Sequence, residues 1–320
     1  MIVRALDGPA ALERVDLPDP EPGAGDVLVD VRACGCNFGD LLITEGKYQL
    51  KPEPPFSPGS EVCGVVRGVG AGVSGIAPGQ RVFAVLRWGG YASAVVAPAP
   101  LVVEIPAAMT FVQGAAFGVA YQTAHLALVD RARLQPGETL VVHGAAGGVG
   151  LAAVEVGAAL GARVIATARG AEKLDLARQH GADVACDSDD DWPEAVRTAT
   201  GGAGADVIYD PIGGDTFDRS TRVLAFGGRL LVIGFASGTI PSMKMNRVLL
   251  KNIAVVGLNW GAYRDEHPEL LAAATRELFA LHAAGRIRPL VSSTLPLVEA
   301  ARALAELAAR RTTGKVILLP

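Results

Sequence analysis

Short Val-rich apolar runs punctuate the first third of the chain at Met1–Leu6, Asp26–Ala33, Glu61–Val69 and Arg81–Leu86. Their length and residue types are those of strands. Segments rich in Pro and Gly, Pro18–Gly25, Pro52–Gly59 and Gly68–Gly79, separate them as turns. Strands this short and this evenly spaced predict a barrel-like, mostly antiparallel unit. The pattern changes near Thr110, which with Gln113 makes a capping box that opens a helix. Tyr121–Val129 reads as a second helix.

From Thr139 onward, buried strands alternate with helices. The predicted strands are Thr139–His143, Arg163–Thr167, Asp183–Cys186, Asp206–Asp210, Arg229–Ile233 and Ile253–Val256. The helices between them are Val149–Leu160, Ala171–His180, Trp192–Thr200, Thr216–Ala225 and one near Met245–Leu250. Six β units with intervening helices predict an α/β, doubly wound parallel sheet of Rossmann type. The tail carries helices at Pro268–Ala284 and Leu297–Ala309 and a last strand, Lys315–Leu319. A strand so far downstream is able to return to the N-terminal unit, which makes the first domain discontinuous. The expected division is 1–119 with 261–320, and 120–260.

Composition narrows the function classes. Half of the 320 residues are hydrophobic and only 19% are charged, enough for two cores and inconsistent with disorder. The net charge of −4 argues against a nucleic-acid partner. A mean hydropathy of +0.33 raises the question of a membrane span. The uncharged stretch between Glu104 and Asp130 is broken by Pro106, Gln113, Gln122 and His125, so a spanning helix is not expected. The segment Met1–Gly8 carries Arg4 and Asp7 and lacks a signal pattern. Four cysteines do not make a disulfide framework. A cytoplasmic protein is the expectation.

The chemistry concentrates at Gly144-Ala-Ala146-Gly147-Gly148-Val149-Gly150, between the first Rossmann strand and its helix. Small residues there let the backbone approach a pyrophosphate, and the helix N-terminus offers unpaired N–H groups and a positive dipole end. A tight turn needing glycine only for packing is the alternative. The end of the second strand, about 20 residues beyond the glycines, is where NAD sites place an acid. This chain has Arg169 there, with Lys173 a turn later. Guanidinium suits a 2′-phosphate, so NADPH is the expected cofactor. Both cations being ordinary surface charges is the alternative.

Together these motifs resemble the zinc-free quinone oxidoreductase (zeta-crystallin-like) branch of the medium-chain dehydrogenase/reductases. The resemblance runs through Gly35-Cys-Asn37-Phe38-Gly-Asp40, Gly46-Lys-Tyr48, Pro58-Gly-Ser60-Glu61-Val-Cys-Gly64, the glycine loop and Thr312-Thr-Gly314-Lys315. It implies a GroES-like β-barrel domain on the substrate side, a Rossmann domain for NADPH, an active site in the cleft between them, and a homodimer joined through the Rossmann sheet edge. Zinc alcohol dehydrogenases of the superfamily have Cys where this chain has Asn37 and His where it has Ser60, with only Glu61 kept. No metal is therefore expected. Cys34, Cys36 and Cys63 read as buried thiols.

Without a metal, simple ketones are poor substrates, and quinones or α,β-unsaturated carbonyls remain as small-molecule hydride acceptors. Asn37 and Tyr48 are the catalytic candidates. Asn37 would reach the nicotinamide ribose or the substrate, or be an ordinary turn amide. Tyr48 would donate to the acceptor oxygen, or be a pocket wall. The resemblance places Thr123, Gly234, Phe235, Leu258, Asn259 and Trp260 beside the nicotinamide; the alternative for Thr123 is a helix threonine bonded to its own backbone, and Phe235 and Trp260 either line the acceptor pocket or simply pack. Arg264 is a weaker candidate for phosphate or substrate. Ser188 stands where the family often has Tyr near the adenosine phosphate. His143 is expected to be buried and bonded to backbone. An enoyl-thioester reductase and a non-catalytic NADPH-binding protein are the competing functions.

Overall fold

The computed structural model describes residues 1–320. The chain forms two compact units: Met1–Val119 with Gly261–Phe279 and Pro289–Pro320, and Ala120–Trp260 with Ala280–Arg288.

The first unit is built around the strand Asp26–Gly35, whose alternating Val27, Val29 and Val31 line one buried face, with Leu28 and Cys34 buried on the other. It pairs antiparallel with Glu61–Val69 along its length, with Ala94–Pro98 over its first half, and with Lys315–Leu319 at Cys34 and Gly35. The sheet continues through Arg81–Val85 and Val102–Glu104 on one side and Val291–Pro296 on the other. Val29, Val31, Val62, Val66, Val82 and Leu318 fill its core, with Leu304 of the helix Ala300–Ala308 packed onto them. The late strand thus does return to the N-terminal sheet.

The second unit holds a six-stranded sheet, all parallel, in the spatial order Val184–Asp187, Arg163–Ala168, Thr139–His143, Ala205–Asp210, Leu224–Val232, Ala254–Gly257. Numbered along the chain, that is 3-2-1-4-5-6, the doubly wound order of dinucleotide-binding sheets. Thr139–His143 is buried throughout, as a central parallel strand covered on both faces must be. The segment Ala280–Arg288 belongs to this unit rather than to the remainder of the tail. Glu155 explains why: this buried carboxylate on the helix Gly148–Ala159 accepts the backbone N–H of Arg288 at 3.0 Å. It also takes the Tyr121 hydroxyl at 2.6 Å and His180 Nδ1 at 2.5 Å.

Several elements differ from the sequence expectation. Only Ile2–Val3 of the first predicted strand pairs, because Val3 is fixed by Phe56 and the following residues are exposed. The capping box at Thr110 is present, opening the helix Phe111–Gly114. The next helix runs Gly118–His125 and then widens into a π-helical turn over Leu126–Arg131. Its start is set by a distant acceptor, Glu61 Oε2, which takes the Val119 N–H at 2.7 Å. The strands Ala94–Pro98, Val102–Glu104 and Val291–Pro296 and the helices Phe38–Thr44 and Trp260–Glu266 add to the elements that the pattern predicts. No helix is long and apolar enough to cross a membrane.

Candidate functional site

In the second unit, the glycine loop leaves the carboxyl end of the central strand. The Ala145 N–H donates to the Thr167 carbonyl of the neighbouring strand at 3.0 Å, and Gly147 N–H closes a turn onto Gly144. A Cβ on Gly150 would lie 2.2 Å from the Gly144 carbonyl oxygen, so the helix passes the turn at a distance only glycine permits. At Gly147 the nearest atom to such a Cβ would be the Gly144 carbonyl oxygen at 3.5 Å, an ordinary contact, so this position is not as tightly constrained. Ala146 is buried, while Gly147, Gly148 and Val149 are half-buried at the first turn of the helix Gly148–Ala159. Its first N–H groups have no partner within the helix and suit an anion.

Arg169 follows the second strand, and Lys173 lies one turn into the helix Ala171–Gln179. Arg169 Nη2 pairs with Asp189 Oδ1 at 2.8 Å. Asp187 accepts the N–H groups of Gly170 at 2.8 Å and Asp189 at 3.0 Å, and these bonds hold its carboxyl below the usual range.

The ends of the fifth and sixth strands carry the remaining expected residues. Gly234 and Phe235 follow Leu224–Val232, and the Ala236 N–H donates to the Pro211 carbonyl. Phe235 packs so near Gly213 that a Cβ there would meet its ring at 2.9 Å. Leu258 is buried and its N–H bonds the Val232 carbonyl at 3.1 Å, while Asn259 is exposed. Trp260 is buried and donates Nε1–H to Gln122 Oε1 at 2.9 Å, which ties the sixth strand's end to the turn of helix that carries buried Thr123.

His143 is buried, but its partners are side-chain hydroxyls, Thr167 at 2.8 Å and Ser220 at 2.9 Å, rather than backbone. Burial lowers its pKa to about 4, so it stays neutral.

In the first unit, Asn37 precedes the helix Phe38–Thr44. Its side chain is sorted by two charges: Oδ1 accepts from Lys315 Nζ at 2.7 Å, and Nδ2 donates to Glu61 Oε1 at 2.7 Å. Lys315 Nζ also meets Glu61 Oε1 at 2.7 Å and the Cys36 carbonyl at 3.0 Å. Glu61 is fully buried and Lys315 nearly so. An ammonium only donates and a carboxylate only accepts, so the amide has one allowed orientation, and one Nδ2–H remains beyond the bond to Glu61.

Beside this group, Asp40 Oδ2 accepts the Asn37 N–H at 2.8 Å and the Tyr91 hydroxyl at 3.2 Å, and Ser60 Oγ lies 3.4 Å from Oδ1. Asp40 therefore caps the helix start. Burial raises its pKa to about 7. Tyr48 packs over the same helix at Gly39, and burial, then the charge of Asp40, raises its phenol pKa. Arg264 is buried and donates to the Leu86 carbonyl and to Asp265. Burial pushes Cys36 up to about 12, and Cys34 and Cys63 are raised by the same cause, so these thiols are poor ligands and nucleophiles. No three His, Cys, Asp or Glu side chains converge as a metal cluster.

Sequence reasoning missed Lys315 as a site residue. The only local signal was a lysine heading an otherwise apolar strand.

Comparison with known proteins adds family to this geometry. The alcohol dehydrogenase GroES-like domain matches residues 23–107, and the zinc-binding dehydrogenase domain matches residues 148–276. The quinone oxidoreductase of Pseudomonas aeruginosa is 39% identical over 319 residues, covering 99% of this chain and 98% of that one. Quinone oxidoreductase-like protein 2 of Bos taurus is 38% identical over 315 residues, covering 98% and 90%. The structure of Escherichia coli quinone oxidoreductase complexed with NADPH superposes with a TM-score of 0.92 at 32% identity, covering 100% and 99%.

Two predictions follow from the first unit's buried charges. Lys315→Met strands the Glu61 carboxylate and lowers stability by about 3–5 kcal/mol. Adding Glu61→Gln restores part of that loss in urea unfolding, and strictly additive losses would show that the two charges are uncoupled. For Asp40, whose folded pKa lies above its unfolded value of 3.8, the native state binds the extra proton between about pH 4 and 7. Its contribution is complete below that window and is lost as pH rises through it. Asp40→Asn removes this slope, so the variant gains on wild type as pH rises from 4.5 to 7.5. A pH-independent difference would contradict the assignment.

Proposed function

Because the chain belongs to the quinone oxidoreductase branch of the medium-chain dehydrogenase/reductase superfamily, we propose that it is an NADPH-dependent, zinc-independent reductase of quinones or α,β-unsaturated carbonyls. The observation that carries this reading is the donor set around Glu61. Catalytic zinc takes three protein ligands and keeps one open position. Here the candidates are an amide, a hydroxyl and a carboxylate whose oxygens already accept from Lys315, Asn37 and Val119. The Lys315 ammonium, 2.7 Å from both Glu61 and Asn37, would oppose a second cation. These residues do not fit zinc.

The second unit supplies the cofactor contacts. The N–H groups at Ala146, Gly148 and Val149 would hold the pyrophosphate, with Gly147 turning the loop beneath it, and Arg169 and Lys173 would hold the 2′-phosphate. Thr123, Gly234, Phe235, Leu258, Asn259 and Trp260 would line the nicotinamide end, where doubly wound sheets take ligands. Bound NADPH supplies a hydride, and the acceptor takes up that hydride and one proton, giving a hydroquinone or a saturated carbonyl.

Asn37 is assigned to orientation and charge stabilisation. Lys315 and Glu61 fix its amide, and the remaining Nδ2–H is available to a ribose hydroxyl or to the acceptor oxygen. Tyr48, protonated at neutral pH, is assigned as hydrogen-bond donor to that oxygen.

The strand Ala254–Gly257 ends the second unit's sheet with its outer edge unpaired, and Val255, Leu249, Leu250 and Phe226 are exposed nearby. Exposed edges of this kind pair with other chains. A twofold homodimer joined along this strand is the proposed assembly.

Turnover of NADPH with 1,4-benzoquinone, an alkenal and a crotonyl thioester tests the reaction. Activity with either of the first two, unchanged after chelator dialysis, is expected. Asn37→Ser should lower kcat on the order of 10²-fold. Tight NADPH binding with no turnover of any acceptor would instead mark a binding protein, and a preference for the thioester an enoyl-thioester reductase. For the assembly, sedimentation of wild type as a dimer and of Val255→Lys as a monomer is expected, and a monomeric wild type would rule the interface out.

A further inference from the structure

The parallel strands Arg163–Ala168 and Val184–Asp187 pair in register up to Ala168 and Asp187. Just beyond their ends, two short segments face each other: Arg169-Gly170 from one strand and Asp187–Asp191 from the other. Backbone bonds shape the acidic segment. The Ser188 N–H donates to the Ala168 carbonyl at 2.9 Å, and Asp187 accepts from Gly170 at 2.8 Å and Asp189 at 3.0 Å. Asp187 is thus occupied by backbone on both oxygens. Asp191 lies 3.6 Å from Arg219. Asp189 is the residue of this run whose carboxylate turns to Arg169, at 2.8 Å.

The pair is exposed, with 72% of the Arg169 side chain and 58% of the Asp189 side chain accessible. The guanidinium assigned above to the 2′-phosphate already has an anionic partner. A phosphate arriving there must displace that carboxylate and remain beside it. NADH carries no such phosphate and leaves the pair intact.

We propose that Asp189 is a specificity-determining residue: it competes with the adenosine 2′-phosphate for Arg169 and so moderates the preference for NADPH over NADH. The proposal rests on the assignment of Arg169 to the 2′-phosphate. Exposed ion pairs are weak, so the effect is a tuning of roughly three- to tenfold in affinity rather than a reversal. It shrinks as ionic strength rises, because both charges are in contact with solvent.

The experiment measures dissociation constants of NADPH and NADH by fluorescence titration, at one fixed low ionic strength. The proteins are full-length wild type, Asp189→Asn, Arg169→Ala and the double variant. Asp189→Asn keeps the backbone N–H that Asp187 accepts, so the segment's shape is preserved, and thermal melts without cofactor verify this. The expected result is NADPH binding tightened by about three- to tenfold in Asp189→Asn, with NADH changed less than twofold and the gain absent in the double variant. Weaker NADPH binding in Asp189→Asn would mean that Asp189 holds Arg169 ready for the phosphate, and would overturn the proposal. So would no change, or an equal shift for both cofactors. The NADPH assignment fails separately: if Arg169→Ala leaves the ratio of the two constants as in wild type, Arg169 does not read the phosphate.

Discussion

The first unit is organised around the compensation of one buried carboxylate. Glu61 is removed from solvent, and an unpaired charge in that position would not be tolerated. Its oxygens are met by the Lys315 ammonium, the Asn37 amide and the Val119 N–H, from three segments distant in sequence. The space for it is made by glycines: a Cβ on Gly35 or Gly118 would lie 2.2 Å or 1.8 Å from its oxygens. Strand Asp26–Gly35, strand Glu61–Val69, the helix at Gly118 and strand Lys315–Leu319 therefore converge because this charge must be satisfied. The orientation of the Asn37 amide is a by-product of that requirement.

The second unit solves a different problem with a different material. Its glycine loop offers backbone N–H groups and small residues, so little side-chain chemistry is committed there. Cationic side chains come just beyond the next strand, as Arg169 and Lys173, and the fold places an acid from the neighbouring strand beside Arg169. The glycine loop is thus shaped by close packing, as at Gly150, whereas the end of the next strand presents solvent-exposed charged side chains.

What the amino-acid pattern revealed follows this division. The alternation of strands and helices after Thr139 and the position of the glycine loop were legible because hydrophobic runs and glycine turns are local signals. The place of Arg169 at the end of the second strand was legible because only one helix and one strand separate it from the loop. Lys315 was not, since its bond to Glu61 spans 254 positions and nothing local distinguishes it from an edge-strand lysine. The same holds for Asp189, whose partner comes from another strand, and for His143, whose burial was legible while its hydroxyl partners Thr167 and Ser220 were not. The short strands Ala94–Pro98 and Val102–Glu104 escaped because each carries only a few apolar residues in a stretch punctuated by Pro98, Pro100 and Pro106.

The bond from Lys315 to Asn37 joins positions 278 residues apart, and this has a consequence for the order of assembly during synthesis. At translation rates of about 5–20 residues per second, tens of seconds separate the emergence of Asn37 from that of Lys315. Throughout that interval the Glu61 carboxylate has no ammonium to meet. The six parallel strands of the second unit all lie between Thr139 and Gly257 and need nothing from the last strand to pair. The nucleotide-binding sheet is therefore able to form on a nascent chain whose other unit is still open, and the final strand closes both the first sheet and its charge balance in one step.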